Sequence, residues 1–339
     1  MREITLAESH PSQLASQHEL ARAYQANGQI KEAVKLLEHV VTMREITLAE
    51  SHPSQLASQH ELARAYQANG QIKEAVKLLE HVVAVEGTTL AENHPSRLAS
   101  QQVLAMAYQA NGQIKEAVKL LEHVVAVEEI TLAENHPDRL ASQHELARAY
   151  QANGRIKKAV KLLEHVVTMR EITLAESHPD RLASQHELAM AYEANGQIKE
   201  AVKLLEHVVT MREITLAESH PSRLTSQHVL AMAYEANGQI KKAVKLLEHV
   251  VTMREITLAE SHPDRLASQH ELARAYQANG QIKEAVKLLE HVVAVEGTTL
   301  AEDDYSRQLS KDLLQSCYER LEGANSTVEF QAPALDEKI

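Results

Sequence analysis

Leucine, alanine, valine and isoleucine in the first 42 residues fall at helical spacing, not in strand-like alternation. Leu14, Ala21 and Tyr24 follow one another at steps of seven and three, with Leu20 beside them. They predict a first helix over Pro11–Ala26 with one apolar face. His10-Pro11 opens it, because proline loses nothing at the first helical position and cannot continue a preceding helix. Asn27-Gly28 closes it, since both residues tolerate the left-handed backbone of a helix end. A second helix begins near Gln29 and carries Ile30, Ala33, Val34, Leu37, Val40 and Val41 on a broad face. Nothing in MREITLAES breaks it, so it is expected to run on to the next His-Pro. Its several apolar stripes require cover from its own partner and from a neighbouring hairpin.

The same pattern returns at Met43, Val85, Val127, Met169, Met211 and Met253, with a degenerate copy from Val295. A fixed period of this length marks a repeat array in which each unit meets its neighbours. One copy alone has too little apolar surface to offset the entropy of ordering it. Residues 1–302 are therefore expected to form seven hairpins, 303–322 a capping helix and 323–339 a disordered tail. In the cap, DDYSRQLSKDLLQSCYERL aligns with the first helix and puts Tyr318 at the place of Tyr24. Met1–Ser9 match the end of a second helix, which predicts an uncapped N-terminal face able to pair with another copy, and a chain that was cut from something longer or begins abruptly. Gly87 and Gly297 stand inside second helices, where glycine costs roughly 1 kcal/mol relative to alanine. A soft point in the stack and a packing requirement both account for them.

Composition narrows the function. The chain has 339 residues, 44% hydrophobic but only 3% aromatic, so its core is aliphatic with one tyrosine per repeat. A formal charge of −12 argues against nucleic acid as partner. Cys317 is the one cysteine, which excludes an intrachain disulfide and fits a cytoplasmic location. No apolar run reaches the length of a membrane span, and the start lacks a signal sequence.

Differences among the copies cluster on the first helix. Ala15 becomes Thr225, His18 becomes Gln102, Arg22 becomes Met106, Met190 or Met232, and Gln25 becomes Glu193 or Glu235. These positions lie three and four apart and share one face. Leu20, Ala21, Tyr24, Gly28, Ala33, Leu37 and Val40 resemble the packing positions of the tetratricopeptide repeat. The length and the phrasing HPDRLASQ…LARAYQANGQIKEAVKLLE look most like its kinesin-light-chain type. Near-identical tandem copies are also similar in style to those ending fungal and bacterial NOD-like receptors, and to designed consensus arrays.

The resemblance implies an all-α, right-handed α-solenoid whose first helices line a concave ligand groove. That groove would hold His18, Arg22 and Gln25, then His60, Arg64 and Gln67, then Gln102, Met106 and Gln109. It would continue through His144, Arg148 and Gln151, then His186, Met190 and Glu193, then His228, Met232 and Glu235, ending at His270, Arg274 and Gln277. Arginines would meet an acidic or extended polypeptide, and methionines would supply adaptable apolar contact. The lysine and asparagine clamp of chaperone-binding repeats is not reproduced. Gln17-His18-Glu19 stands where kinesin light chains carry an asparagine pair.

No motif calls for catalysis, a metal or a cofactor. His18-Glu-Leu-Ala-Arg22 lacks the second histidine of a zinc-protease helix, and Gly28-Gln-Ile-Lys31 lacks the residues of a phosphate loop. Ser16 and His18 recur in similar form in every copy, which suits a structural role better than an active site. The histidines at His10 and His39 read as helix-junction residues.

Overall fold

A computed structural model describes residues 9–329, and the side chains of residues 9–322. Seven hairpins follow one another: α1 (Pro11–Ala26) with α2 (Ile30–Thr47), α3 (Pro53–Ala68) with α4 (Ile72–Thr89), α5 (Pro95–Ala110) with α6 (Ile114–Thr131), and α7 (Pro137–Ala152) with α8 (Ile156–Thr173). Then come α9 (Pro179–Ala194) with α10 (Ile198–Thr215), α11 (Pro221–Ala236) with α12 (Ile240–Thr257), and α13 (Pro263–Ala278) with α14 (Ile282–Thr299), followed by α15 (Tyr305–Glu329). No strand occurs among the described residues. The chain divides into two compact units, α1–α8 and α9–α15.

Each first helix starts as its sequence demands. His10 is extended at the N-cap and its ring Nδ1 accepts from the Ser12 amide at 3.2 Å, with Pro11 next in line. The same bond recurs at every His-Pro from His52 to His262. Each first helix ends at an asparagine followed by glycine with φ between 71° and 82°. A side chain in that left-handed region is strained, which is why all seven turns use glycine.

The second helices are shorter than expected. α2 ends at Thr47, and Leu48 turns extended at φ −121°, ψ 156°. The apolar pattern runs on through Ile46, but that side chain is 73% exposed and contributes no burial. What stops the helix is the next one. His52 must be extended before Pro53, and its amide closes a turn on the Ala49 carbonyl at 2.9 Å. From the second hairpin on, an arginine in the following first helix also donates to the freed carbonyl, as Arg97 does to Leu90 at 3.0 Å.

Within each unit the core is a repeated aliphatic layer. Leu37, Leu79 and Leu121 in one unit, and Leu205, Leu247 and Leu289 in the other, are wholly buried between helices. Contacts between alternate helices join first helices: α1 with α3, α5 with α7, and α9, α11, α13 and α15 in sequence. First helices therefore lie side by side on one face of each unit, in an unbroken row from α9 to α15, and second helices lie on the opposite face. Tyrosine hydroxyls tie consecutive hairpins together, Tyr66 donating to Glu38 at 2.9 Å and Tyr234 to Glu206 at 2.7 Å. Tyr318 donates to Glu290 at 2.7 Å, so the last helix docks in the register of a first helix. That helix runs to Glu329, past the end expected at 322. The N-terminal stretch to Glu8 and residues 330–339 lie outside the described residues.

No atom lies within 4 Å of a Cβ built on Gly87, and at Gly297 only the tip of Arg307 does, at 3.8 Å. Packing does not require glycine at either place.

Candidate functional site

The position of Arg22 is exposed in the first five hairpins and half-buried in the last two, at Met232 and Arg274. Met106 is 44% and Met190 39% exposed there. The histidines one turn earlier are half-buried, and two of them reach the next first helix. His18 Nδ1 stands 3.3 Å from Ser58 Oγ, and His270 Nδ1 3.2 Å from Ser310 Oγ. In the third hairpin Gln102 takes the histidine's place and donates to Ser142.

Each such serine belongs to a buried polar node completed by the second helix. Arg44 donates to the Ser58 hydroxyl and the Ser54 carbonyl; Arg212 and Arg254 repeat this with Ser226 and Ser222, and with Ser268 and Asp264. At other junctions a carboxylate replaces the guanidinium. Glu86, Glu128 and Glu296 are at most 4% exposed. Burial pushes all three carboxyls upward, Glu128 to about 7. Burial and the neighbouring arginines push His186 and His228 down to about 4, which keeps both rings neutral at pH 7. Ser268 is fully buried and accepts from Arg254. The Ser–His pairing is a seam between hairpins.

The arginines expected to meet an acidic partner are already paired within their own helices. Arg22 lies 3.3 Å from Glu19, Arg64 3.5 Å from Glu61, Arg148 3.3 Å from Glu145 and Arg274 2.7 Å from Glu271. Arg274 also reaches Glu235 at 3.3 Å. Gln277 turns to the cap, donating to Ser316 at 3.1 Å. Gln25, Gln67, Gln109, Gln151 and Glu193 are half-buried along the same face, as are His60, His144, His186 and His228.

Two cavities open on this face. One, of about 570 Å³ between α1 and α3, gathers Arg22, Gln25 and Arg64 with Glu19 and Glu61. The other, of about 480 Å³ between α11, α13 and α15, gathers His228, Met232 and His270 with Glu271, Glu296 and Asp304. The opposite face carries two matching hollows between second helices, floored by Leu146 and Tyr150 in one unit and by Leu230 and Tyr234 in the other. Lys158 and Lys242 stand over those tyrosine rings at 5.2 and 4.8 Å. Among the described residues no three metal-binding side chains gather, and no helix is long and apolar enough to cross a membrane.

The nodes and the tyrosine–glutamate bonds link residues 14, 28 and 40 apart, separations set by how hairpins stack. Alternation of arginine with glutamate at the place of Arg44 is the one signal of them in the sequence.

Comparison with known proteins agrees with this architecture. The tetratricopeptide repeat model matches residues 12–85, 96–172, 180–256 and 222–295. A crystal structure from Podosopora anserina, described as a kinesin light chain with nearly identical TPR-like repeats, is 66% identical. That match covers 61% of this chain and 98% of the other, with a TM-score of 0.55. BtubC from P. vanneervenii is 17% identical over 69% of this chain and 94% of its own, at TM-score 0.58. The apo form of RapI is 8% identical over 84% and 97%, at 0.64. These last two share the fold. No curated protein matches the chain. With the family model covering most of its length, the chain belongs to the tetratricopeptide repeat family, and its repeats are of the kinesin-light-chain type.

Proposed function

We propose that this protein is a non-catalytic scaffold that binds a protein or extended peptide along the face built by its first helices. The observation that carries the reading is where the copies differ. Apart from the arginine–glutamate exchange at the place of Arg44, buried positions repeat almost unchanged, while the position of Arg22, exposed in the first five hairpins, alternates between arginine and methionine on the face where the 570 and 480 Å³ cavities open. Methionine adapts to varied apolar partners. The arginines, each paired in its own helix, offer directional hydrogen bonding more than net positive charge. In a cytoplasmic receptor of the NOD-like style, the array would serve as the recognition end. Sequencing the native transcript upstream of Met1 tests that placement, since the absence of a nucleotide-binding domain there would refute it.

Short peptides selected on the full chain from a random display library test the groove. Replacing Met106, Met190 and Met232 together with glutamate should weaken the selected peptides about tenfold or more. Replacing the exposed Lys35, Lys77 and Lys119 of the second helices with glutamate should leave them unchanged. The reverse pattern would overturn the reading.

Self-association is the second reading. Leu20 is 45% exposed, whereas its counterparts Leu62 and Leu104 are 4% exposed. Light scattering across a dilution series decides: a constant monomer mass removes this alternative, and a mass that rises with concentration favours it.

A further inference from the structure

The cavity between α11, α13 and α15 has a buried carboxylate at its base. Glu296 is 3% exposed, and its Oε1 accepts from Ser310 Oγ at 3.2 Å. Its Oε2 is buried with no hydrogen-bond partner. A desolvated carboxylate oxygen left this way is costly, and a cation brought against it removes the cost.

The protein itself shows what such a node accepts. At four junctions the equivalent place holds an arginine, Arg44, Arg170, Arg212 and Arg254; Arg254 shows what its guanidinium does, donating to the Ser268 hydroxyl and to the Asp264 carbonyl in the first turn of the next helix. At the last junction a glutamate stands in that place. The corresponding serine, Ser310, and the corresponding first-turn residue, Ser306, both line the open cavity. The walls are apolar, from Met232, Leu266 and Leu309, and the rim adds Glu271 and Asp304. The nearby cations are engaged elsewhere. Arg274 holds Glu271 and Glu235, and Arg307 donates to the Leu300 carbonyl at 3.2 Å. Asp304 caps α15 through the Ser306 amide at 2.9 Å, which leaves Glu296 as the main unmet charge.

We propose that this cavity seats a lysine or arginine side chain of the bound polypeptide, with its methylene stem on Met232, Leu266 and Leu309 and its cation against Glu296. A long basic side chain suits the site because its stem buries against apolar walls while its head forms charge-assisted hydrogen bonds. The proposal rests on the reading that the first-helix face receives a polypeptide.

The test uses the full chain with methyl-labelled methionine and two probes, n-butylguanidinium and neutral n-butylurea. The Met232 methyl resonance should move on addition of the guanidinium and not of the urea. E296R, which installs the side chain that four other junctions already carry, should abolish the response. E296Q, which keeps the shape, should weaken it roughly tenfold. A silent Met232, an equal response to butylurea, or a response undiminished in E296R would overturn the proposal. Peptides selected on the same face separate the two readings. If they bind the groove while Met232 ignores the guanidinium, the scaffold reading stands and this pocket falls. If Met232 responds but no polypeptide binds the face, the cavity is a cation site without the proposed occupant, which also refutes it.

Discussion

Glu128 should make the fold less stable as pH rises through neutrality, and Glu128→Gln should remove that loss. The side chain is 2% exposed, and its Oε2 is buried without a partner. Burial is the largest influence on its carboxyl, opposed by a hydrogen bond from Ser142, and the result is a group pushed up from 4.5 to about 7. Below pH 4.5 the carboxyl is protonated whether the chain is folded or not, so it costs nothing. Between 4.5 and 7 the unfolded chain releases a proton that the folded chain keeps, and stability falls as pH rises. Above pH 7 the loss is complete. A rise from 4.5 to about 7 at roughly 1.4 kcal/mol per unit makes it about 3–4 kcal/mol at most. The amide of Glu128→Gln imitates the protonated acid, so the variant should match the parent at pH 4.5 and exceed it by about 2–3 kcal/mol at pH 8. Urea unfolding at a series of pH values measures the difference. Hydrogen exchange in α6 and α7 localises it, since repeat arrays open in pieces. Parallel stability curves for parent and variant, or a variant weaker at pH 8, would refute the reasoning.

Four further outcomes follow from the same geometry. His186 and His228, held neutral with pKa values near 4, oppose folding as pH falls from about 6.5 towards 4, so His186→Gln with His228→Gln should flatten the acid limb of the unfolding curve. Gly87→Ala should stabilise α4 by about 0.5–1 kcal/mol in thermal unfolding, because its new methyl meets nothing within 4 Å. Gly196→Ala, at φ 79°, should instead cost about 1 kcal/mol or more in the same assay. Leu247→Ala, wholly buried in its layer, should cost about 2–5 kcal/mol in urea unfolding.

Much of the fold can be read from residues that act locally. Pro11 and the asparagine–glycine pair set the bounds of each first helix without help from the rest of the chain, and the seven-and-three spacing of Leu14, Ala21 and Tyr24 names the packed face. The end of the second helix is different. Ile46 continues the apolar pattern, and the stop at Thr47 depends on the following His-Pro; from the second hairpin on, an arginine of the next first helix adds its donation. The candidate groove divides in the same way. Variation among copies marks one face of the first helix, but variation alone does not mark the Arg22–Glu19 pairing three residues apart, which depends on the rotamers of both side chains. The buried nodes could not be read at all from spacing, since Ser58, His18 and Arg44 meet only once hairpins stack.

The methionines give the most direct test of the central claim. Met106, Met190 and Met232 lie on the first helices, while Met43, Met169, Met211 and Met253 lie on the second. Methyl spectra recorded while a selected peptide is added to the full chain report on both faces in one titration. The scaffold reading predicts that the first set shifts and the second stays still. Shifts confined to the second set would place binding on the opposite face and contradict it.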